Sequence, residues 1–178
     1  MLQPPIFQGG SPQLQDCDVS SRSGTGVGIE GARSPRLVDC RLHGCTRHGL
    51  AVFGAIDQME LDAAATIGGG SGGGGDEGLT APAATLALLE RCQLYGNKLD
   101  GVLVRAGSAV RMEGCGVHDN GEYGIALQDA GGGSEVKGSE VFGNGKGAVL
   151  VQSNTLDLGI NTESLEKLNK IKGKVLVQ

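Results

Sequence analysis

A spacing of 23 residues recurs along the chain and constrains its fold more than any other feature. Two pairs of cysteines are 23 residues apart, and a serine in a similar setting follows the last cysteine by 24 residues. These marker positions are Cys17, Cys40, Cys92, Cys115 and Ser139. Nine residues after each cysteine, glycine precedes an aliphatic residue, at Gly26, Gly49, Gly101 and Gly124. A period of this length is typical of a protein in which each repeat is one structural unit.

Aliphatic residues also recur at fixed places in every repeat. Three residues before the markers, the first column consists of Leu14, Leu37, Leu89, Met112 and Val136. Two residues after the markers, the second column consists of Val19, Leu42, Leu94, Val117 and Val141. The third column contains pairs two residues apart: Val27 and Ile29, Leu50 and Val52, Val102 and Val104, Ile125 and Leu127, and, after an early Gly147, Ala148 and Leu150. Alternation with a period of two indicates β-strands.

Each repeat therefore supplies three short strands that can bury their apolar side only by stacking on the next repeat. We predict an all-β fold, a right-handed single-stranded parallel β-helix of about five 23-residue coils over residues 11–152. Stacking at about 4.8 Å would place each column in a ladder along the axis. The chain has 33 glycines, five Tyr or Phe residues and no tryptophan, so small aliphatic side chains must fill the interior. We expect residues 1–178 to form a single domain.

A polar column and the cysteine column are interpreted as structural. Five residues after the markers stand Arg22, Cys45, Asn97, Asn120 and Asn144. Asparagine tolerates the left-handed conformation of a sharp corner, and its amide can bond the amide of the next coil, so Asn97, Asn120 and Asn144 are predicted to form a ladder. The cysteine column, Cys17, Cys40, Cys92 and Cys115, is predicted to contain free buried thiols, because the chain has no Cys-x-x-Cys and its three histidines form no ligand pattern. We therefore expect no metal and no other cofactor.

Three segments fall outside the repeat. Residues 56–84 include a long glycine run and are predicted to be a flexible insertion that leaves Cys40 and Cys92 in adjacent coils; a short strand or helical turn over 56–67 is the alternative. Residues 161–172 are predicted to be a helix that caps the last coil, because apolar residues recur there at helical spacing. Residues 1–10 would plug the first coil. This end is the less well covered one, which leaves open the assembly of rods through it.

One outward column contains aromatic and imidazole rings. Three residues after the markers stand Ser20, His43, Tyr95, His118 and Phe142. Rings aligned on a flat ladder can anchor a protein partner, since they offer contact area at a low entropic cost. His43, Tyr95, His118 and Phe142 are therefore the predicted partner-binding stripe. The alternative is that they pack over the corner and shield the asparagine ladder.

Charge and hydropathy argue against several classes of partner. The net charge is −5 with acidic and basic residues interspersed, so the chain offers no basic field to a nucleic acid. No apolar run is long enough to cross a bilayer, and the first ten residues lack the features of a signal peptide. We expect a soluble cytoplasmic protein that binds neither nucleic acid nor membrane.

The sequence predicts no catalytic residue. The segment Arg33-Ser34-Pro35-Arg36 is loosely similar to the arginine–proline segment of pectate lyases, but the second arginine of that motif is missing. Asp119 and Asp129 lie in different parts of one coil, and two carboxylates form an acid–base pair only when they are close together. A polysaccharide lyase or hydrolase is the alternative to a binding protein, because a fold alone does not define function.

The corner sequences resemble a known repeat. CQLYGN at 92–97 and CGVHDNG at 115–121 resemble the parallel β-helix repeat of the pectin-lyase-like superfold, over about residues 11–152. DNGEYGI at 119–125 is similar to the eukaryotic branch that contains F-box β-helix proteins and SHC-binding, spindle-associated proteins. The resemblance implies a non-catalytic recognition or scaffold domain that binds other proteins in the cytoplasm, within a cytoskeletal assembly such as microtubules or a cilium. The chain has no F-box, so a role in ubiquitin ligation is not expected.

Overall fold

Short parallel strands stacked in three ladders form the body of the protein. The structure is a computed structural model, and it describes residues 6–8, 10–31, 34–54, 85–152 and 162–178. In these residues it contains 18 strands in three sheets, together with one helix, α1 (Thr162–Leu168). All the pairings between the strands are parallel. The predicted parallel β-helix is therefore confirmed.

Each sheet takes one strand from successive coils. Sheet A contains β1 (Ile6–Gln8), β4 (Val27–Glu30), β7 (Leu50–Phe53), β10 (Val102–Arg105), β13 (Tyr123–Gln128), β16 (Gly147–Gln152) and β18 (Val175–Val177). Sheet B contains β2 (Gln13–Gln15), β5 (Arg36–Val38), β8 (Leu86–Glu90), β11 (Ala109–Glu113) and β14 (Glu135–Lys137). Sheet C contains β3 (Asp18–Val19), β6 (Arg41–His43), β9 (Gln93–Tyr95), β12 (Gly116–His118), β15 (Glu140–Phe142) and β17 (Lys170–Ile171).

The coils before and after residues 55–84 are direct neighbours, as the repeat predicts. β5 pairs with β8, β6 with β9 and β7 with β10. The backbone N–H of Gln93 donates to the carbonyl of Cys40 at 2.8 Å, so the two cysteine markers lie in adjacent coils. Residues 56–84, including the alternative element at 56–67, lie outside the described residues.

The aliphatic columns form the core. Leu37, Leu42, Leu94 and Val117 are fully buried, and the pairing of the sheets places each above its predicted neighbour. The glycine column has a steric cause. A Cβ on Gly26, Gly49, Gly101 or Gly124 would lie only 2.7 to 2.8 Å from a carbonyl oxygen of the next coil. Any larger residue would therefore force adjacent coils apart.

The interior residues of the last complete coil differ from the prediction. Ile125 pairs with Val149 and Leu127 with Val151, so Leu150 lies beside Ala126 on the outward row. The prediction that Leu150 points inward was wrong because the backbone ladder, rather than the early glycine, sets the register. Leu150 instead belongs to a second buried apolar cluster on the outer row of sheet A, with Ala51, Leu103 and Ala126.

Left-handed residues form the two corners of sheet C. One column of positive φ angles immediately precedes the markers: Asp16, Asp39, Arg91, Gly114 and Gly138. A second column contains Gly44, Gly96, Asp119 and Gly143. The second column was expected at the asparagines, but it lies one residue before them. The asparagine side chains are used for hydrogen bonds between coils instead.

The C-terminal segment continues the solenoid after a short helix. Helix α1 is shorter than the predicted span of 161–172, and residue 161 lies outside the described residues. Leu165 is buried, and the N–H of Gly138 at the end of β14 donates to the carbonyl of Leu168 at 3.0 Å. Ile171, which was assigned to the helix, lies in β17, and β18 pairs with β16. The β-branched residues Ile171, Val175 and Val177 suit strands, and these strands extend sheets C and A.

The N-terminal segment extends sheet A where a plug was predicted. Strand β1 pairs with β4 through Ile6, Phe7 and Gln8, whereas residues 1–5 and 9 lie outside the described residues. In the first coil Leu14, Cys17 and Val19 are only partly buried. None of the described helices is long and apolar enough to span a membrane.

Candidate functional site

Four rings stack on the outer side of sheet C. His43, Tyr95, His118 and Phe142 end four successive strands of this sheet, and the structure brings all four members of the predicted stripe together. Their ring centroids are separated by 4.9, 5.2 and 4.9 Å, and adjacent ring planes differ by only 4° to 7°. We call these four residues the ring stack. Its spacing follows that of the strands, so the backbone ladder sets the distances between the rings.

Stacking determines which part of each ring reaches solvent. Tyr95 and His118 each have a ring on both faces, so they present their edges outward. The side chains of His43 and His118 are 30% and 25% exposed. The stripe was predicted as an array of available rings, but its inner rings use their faces on one another. Its accessible chemistry is therefore that of ring edges, which include imidazole nitrogens and a phenol hydroxyl.

Two carboxylates hold the imidazoles in place. His43 Nε2 lies 2.7 Å from Asp18 Oδ1, and His118 Nδ1 lies 2.8 Å from Asp119 Oδ2. An ionised carboxylate can only accept a hydrogen bond, so in each pair the ring nitrogen donates. Nδ1 of His43 and Nε2 of His118 are then the ring nitrogens that are not used in these two bonds. The pairs orient both rings within the ring stack.

A second outward column runs beside the ring stack, two residues earlier in each strand. Its members are Asp18, Arg41, Gln93, Gly116, Glu140 and Lys170. Ion pairs form near both ends of the column, at 3.7 Å between Arg41 and Asp18 and at 2.7 Å between Lys170 and Glu140. Between them, the Gln93 side chain covers the position where Gly116 lacks a Cβ. The centre of this second column is therefore uncharged, and ion pairs lie towards its two ends.

The asparagine ladder lies two residues beyond the ring stack and faces the interior. Asn97 Nδ2 donates to Asn120 Oδ1 at 2.9 Å, and Asn120 Nδ2 donates to Asn144 Oδ1 at 2.9 Å. The same oxygens accept backbone N–H groups at 3.2 and 3.1 Å. Cys45 continues the column, and its backbone N–H donates to Asn97 Oδ1 at 3.0 Å. This arrangement satisfies polar groups of successive coils inside the protein.

The cysteine column is also interior, and all five cysteines are free thiols. Cys40, Cys92 and Cys115 are buried, whereas Cys17 in the first coil is partly exposed. Burial raises the pKa of the Cys40 and Cys45 thiols, and a hydrogen bond with Cys115 together with burial raises the pKa of Cys92. These three thiols therefore stay protonated and unreactive at neutral pH.

The outer face of sheet B contains ion pairs between coils. Arg36 forms a bidentate pair with Glu90, at 2.7 and 2.8 Å from Nη2, and Arg91 forms one with Asp39 at 2.7 Å through Nε and Nη2. Hydrogen bonds from these arginines lower the pKa of both carboxyl groups. A shallow depression of about 170 Å³ adjoins this network, and Leu88, Arg111, Glu113, Glu135 and Lys137 contribute to its lining. We use this face below as a comparison surface.

Among the described residues, the two carboxylates considered for catalysis do not form one site. Arg33 lies outside the described residues. Asp119 is bonded to His118, and Asp129 stands after the opposite end of β13. In the described part of the chain, no group of three or more His, Cys, Asp or Glu side chains could hold a metal ion.

Sequence reasoning missed two polar contacts between coils. His48 Nδ1 lies 3.2 Å from Asp100 Oδ2, with both side chains at most 10% exposed, and Asp100 Oδ1 accepts the N–H of Tyr123 at 2.9 Å. Both residues directly precede a glycine of the glycine column, which places them in adjacent coils and could have revealed the pair.

The second missed contact is made by Asn169, at the C-terminal end of the marker column. Asn169 Oδ1 accepts the N–H of Ser139 at 2.9 Å, while its Nδ2 donates to the carbonyls of Val136 and Leu165. The signal in the sequence is that Asn169 and Lys170-Ile171 follow the pattern of Ser139 and Glu140-Val141.

Comparison with known proteins identifies the family. The family model described as "Right handed beta helix region" matches residues 6–162. The chain therefore belongs to the right-handed β-helix family. Searches of curated proteins and of solved structures found no match.

Proposed function

We propose that this chain is a non-catalytic protein-interaction or scaffold module, and that the outer face of sheet C is its binding surface. The observation that carries the proposal is the ring stack. It places four rings in one line on a framework of paired strands, with polar ring edges outward and charges on either side. Aromatic groups at the centre, with polar and charged groups around them, are the usual composition of a protein interface.

Rigidity supports the same proposal. Each ring is attached to a strand paired on both sides, and the residues between the rings and the asparagine ladder are held by hydrogen bonds between coils. Little side-chain or backbone freedom would be lost on binding. Groups that are ordered before association contribute more of their contact energy to affinity.

We further propose a cytoplasmic setting in a cytoskeletal assembly of microtubules or a cilium. Support comes from the similarity of residues 119–125 to spindle-associated β-helix proteins. In such an assembly the chain would act as a rod-like spacer with a recognition face.

Affinity capture from an extract of the source cells tests the proposal. The folded chain is immobilised, and the captured proteins are quantified by mass spectrometry for the wild type and for the double variant Tyr95→Ala/Phe142→Ala. The matched control is Arg111→Ala/Glu113→Ala, which removes two side chains from the outer face of sheet B in the coil between those of Tyr95 and Phe142. We expect at least one protein to be reduced about tenfold or more by the ring-stack variant and retained by the control.

Two outcomes would contradict the proposal. One is equal retention of every captured protein by both variants. The other is cleavage of a uronate-containing polysaccharide by the purified chain, with loss of cleavage in Asp119→Ala. The second result would support the alternative of a lyase or hydrolase.

A further inference from the structure

The partner class follows from the geometry of the ring stack. We propose, building on the proposed function, that the ring stack binds an amphipathic α-helix lying along the solenoid axis, with its C-terminal, acidic end towards Lys172. Three properties of the face support this assignment: its period, its continuity and its charge.

The period of the ring stack matches a helix. The rings repeat every 4.9 to 5.2 Å along the axis. An α-helix presents one residue of a given face about every 5.4 Å, so over three ring intervals the mismatch grows to only about 1 Å. An extended chain presents same-side residues about every 6.6 Å, so its mismatch with the ring spacing would grow to about 5 Å over the same length. Four helical turns can therefore contact four rings in register.

The stack also leaves no open space between its rings. The small angles between adjacent ring planes show that each ring lies face to face with the next. A polyproline segment has a turn of about 9.3 Å, which approximates two coils. Proline-rich ligands, however, dock in grooves between aromatic side chains. Parallel stacking fills the spaces between these rings, so the face offers a continuous ridge, which suits the groove between side-chain rows of a helix.

The charges at the two ends of the ring stack favour one orientation of the bound helix. Lys172 follows Ile171 at the end of β17, in the row of the ring stack beyond Phe142, and Lys172 and Lys174 are exposed. At the other end, Asp18 is bonded to His43 and lies near Arg41, so its charge is largely balanced. The C-terminus of a helix carries a partial negative charge, and acidic side chains placed there would complement the two exposed lysines. The basic end of the ring stack therefore favours the C-terminal end of the bound helix.

Selection from two peptide libraries tests this inference. One library randomises the exposed face of a helix held in a small helical bundle, and the other randomises an extended segment of equal length. Both are selected against the folded wild-type chain, and the affinities of enriched sequences are then measured by interferometry. We expect enrichment from the helix library, with apolar residues at intervals of three or four and acidic residues near the helix C-terminus.

Variants assign the binding to the ring stack. Tyr95→Ala should weaken the enriched helices about tenfold or more, and Lys172→Glu several-fold, with the second effect reduced by salt. Arg111→Ala should leave affinity unchanged. His118→Ala provides an independent ring-stack variant should Tyr95→Ala fail to fold, and circular dichroism checks both.

The outcomes separate this inference from the proposed function. Enrichment of extended segments alone, with affinity lost in Tyr95→Ala, would overturn the helix assignment and leave a protein-binding face. Enriched helices whose affinity is unchanged in Tyr95→Ala and His118→Ala would overturn both. An affinity unchanged in Lys172→Glu would overturn the assigned direction of the helix.

Discussion

The ring stack and the asparagine ladder lie two residues apart in the three coils that contain both, yet their side chains have different roles. Asn120 uses its amide entirely within the protein, as acceptor for two groups of Asn97 and as donor to Leu94 and Asn144. His118, which also repeats along the axis, keeps one edge towards solvent. One repeat therefore builds an interior ladder and a surface row at the same time. Loss of the interior group should cost stability, and loss of the surface group should cost binding.

Asn120→Ala should have the largest effect. Removing this side chain leaves the buried N–H of Asn97 without its acceptor, at a cost of about 1–3 kcal/mol for a buried polar group left unsatisfied, and it also removes the hydrogen bonds that the amide donates to Leu94 and Asn144. We expect the free energy of unfolding to fall by about 3 kcal/mol, as measured by urea denaturation. The matched variant His118→Ala should cost about 1 kcal/mol, since stacked pairs contribute about that much. Equal losses in the two variants would remove the distinction between ladder and stack.

Val117→Ala should have the next largest effect. Val117 is fully buried next to His118 on the same strand, so this pair compares the two faces of β12 directly. Deletion of two buried methyl groups should cost about 2 kcal/mol through lost burial and the cavity left behind. Denaturation measures this loss, and the capture experiment should show unchanged partner binding for Val117→Ala under conditions where it is folded. A variant that loses the partner while folded would show that the inner row contributes to recognition.

Cys92→Ser should have a smaller effect, of about 1 kcal/mol in the free energy of unfolding. The marker column already contains Ser139, whose hydroxyl donates to the carbonyl of Lys137 at 3.0 Å, much as Cys92 Sγ contacts that of Glu90 at 3.4 Å. A hydroxyl at 92 can therefore find the equivalent partner. A decrease of more than about 3 kcal/mol in the free energy of unfolding, measured by urea denaturation, would mean that the thiol is required for reasons other than packing.

The ion pairs of sheet B should contribute the least. Arg36 and Arg91 lower the pKa values of Glu90 and Asp39 in the folded protein. The unfolded chain then binds protons more readily, so this contribution is present above about pH 4.5 and is lost as the pH falls through the lowered folded values. Denaturation between pH 6 and pH 3 should show a flatter dependence in Arg36→Gln/Arg91→Gln than in the wild type. Parallel curves for the two proteins would show that these exposed pairs add nothing to stability.

Most of the fold could be predicted because a solenoid repeats its side-chain environment. The 23-residue spacing placed Leu42, Leu94 and Val117 in one interior column, and the pairing of β6, β9 and β12 agrees. The prediction for Leu150 was wrong because a glycine marks only the place where a Cβ would collide with the next coil. That place can shift by one residue while the pairing of the strands stays the same. Strands β17 and β18 were missed because they are too short to show a period of their own.

The candidate site could be predicted only as a set of positions. Spacing alone places His43, Tyr95, His118 and Phe142 in one row, but the orientation of their rings depends on side-chain torsions and on contacts with Asp18 and Asp119. Stacking of the ring faces could not be read from the sequence for that reason. The same limitation applies to His48 and Asp100, whose contact depends on where two side chains point at one corner.

We propose that the ring stack serves binding, whereas the interior ladders serve stability. The most direct measurement is the dissociation constant between a captured partner and Tyr95→Ala, in a preparation that circular dichroism shows to be folded. We predict a dissociation constant about tenfold or more above that of the wild type. An unchanged dissociation constant would contradict the assignment of sheet C as the binding face.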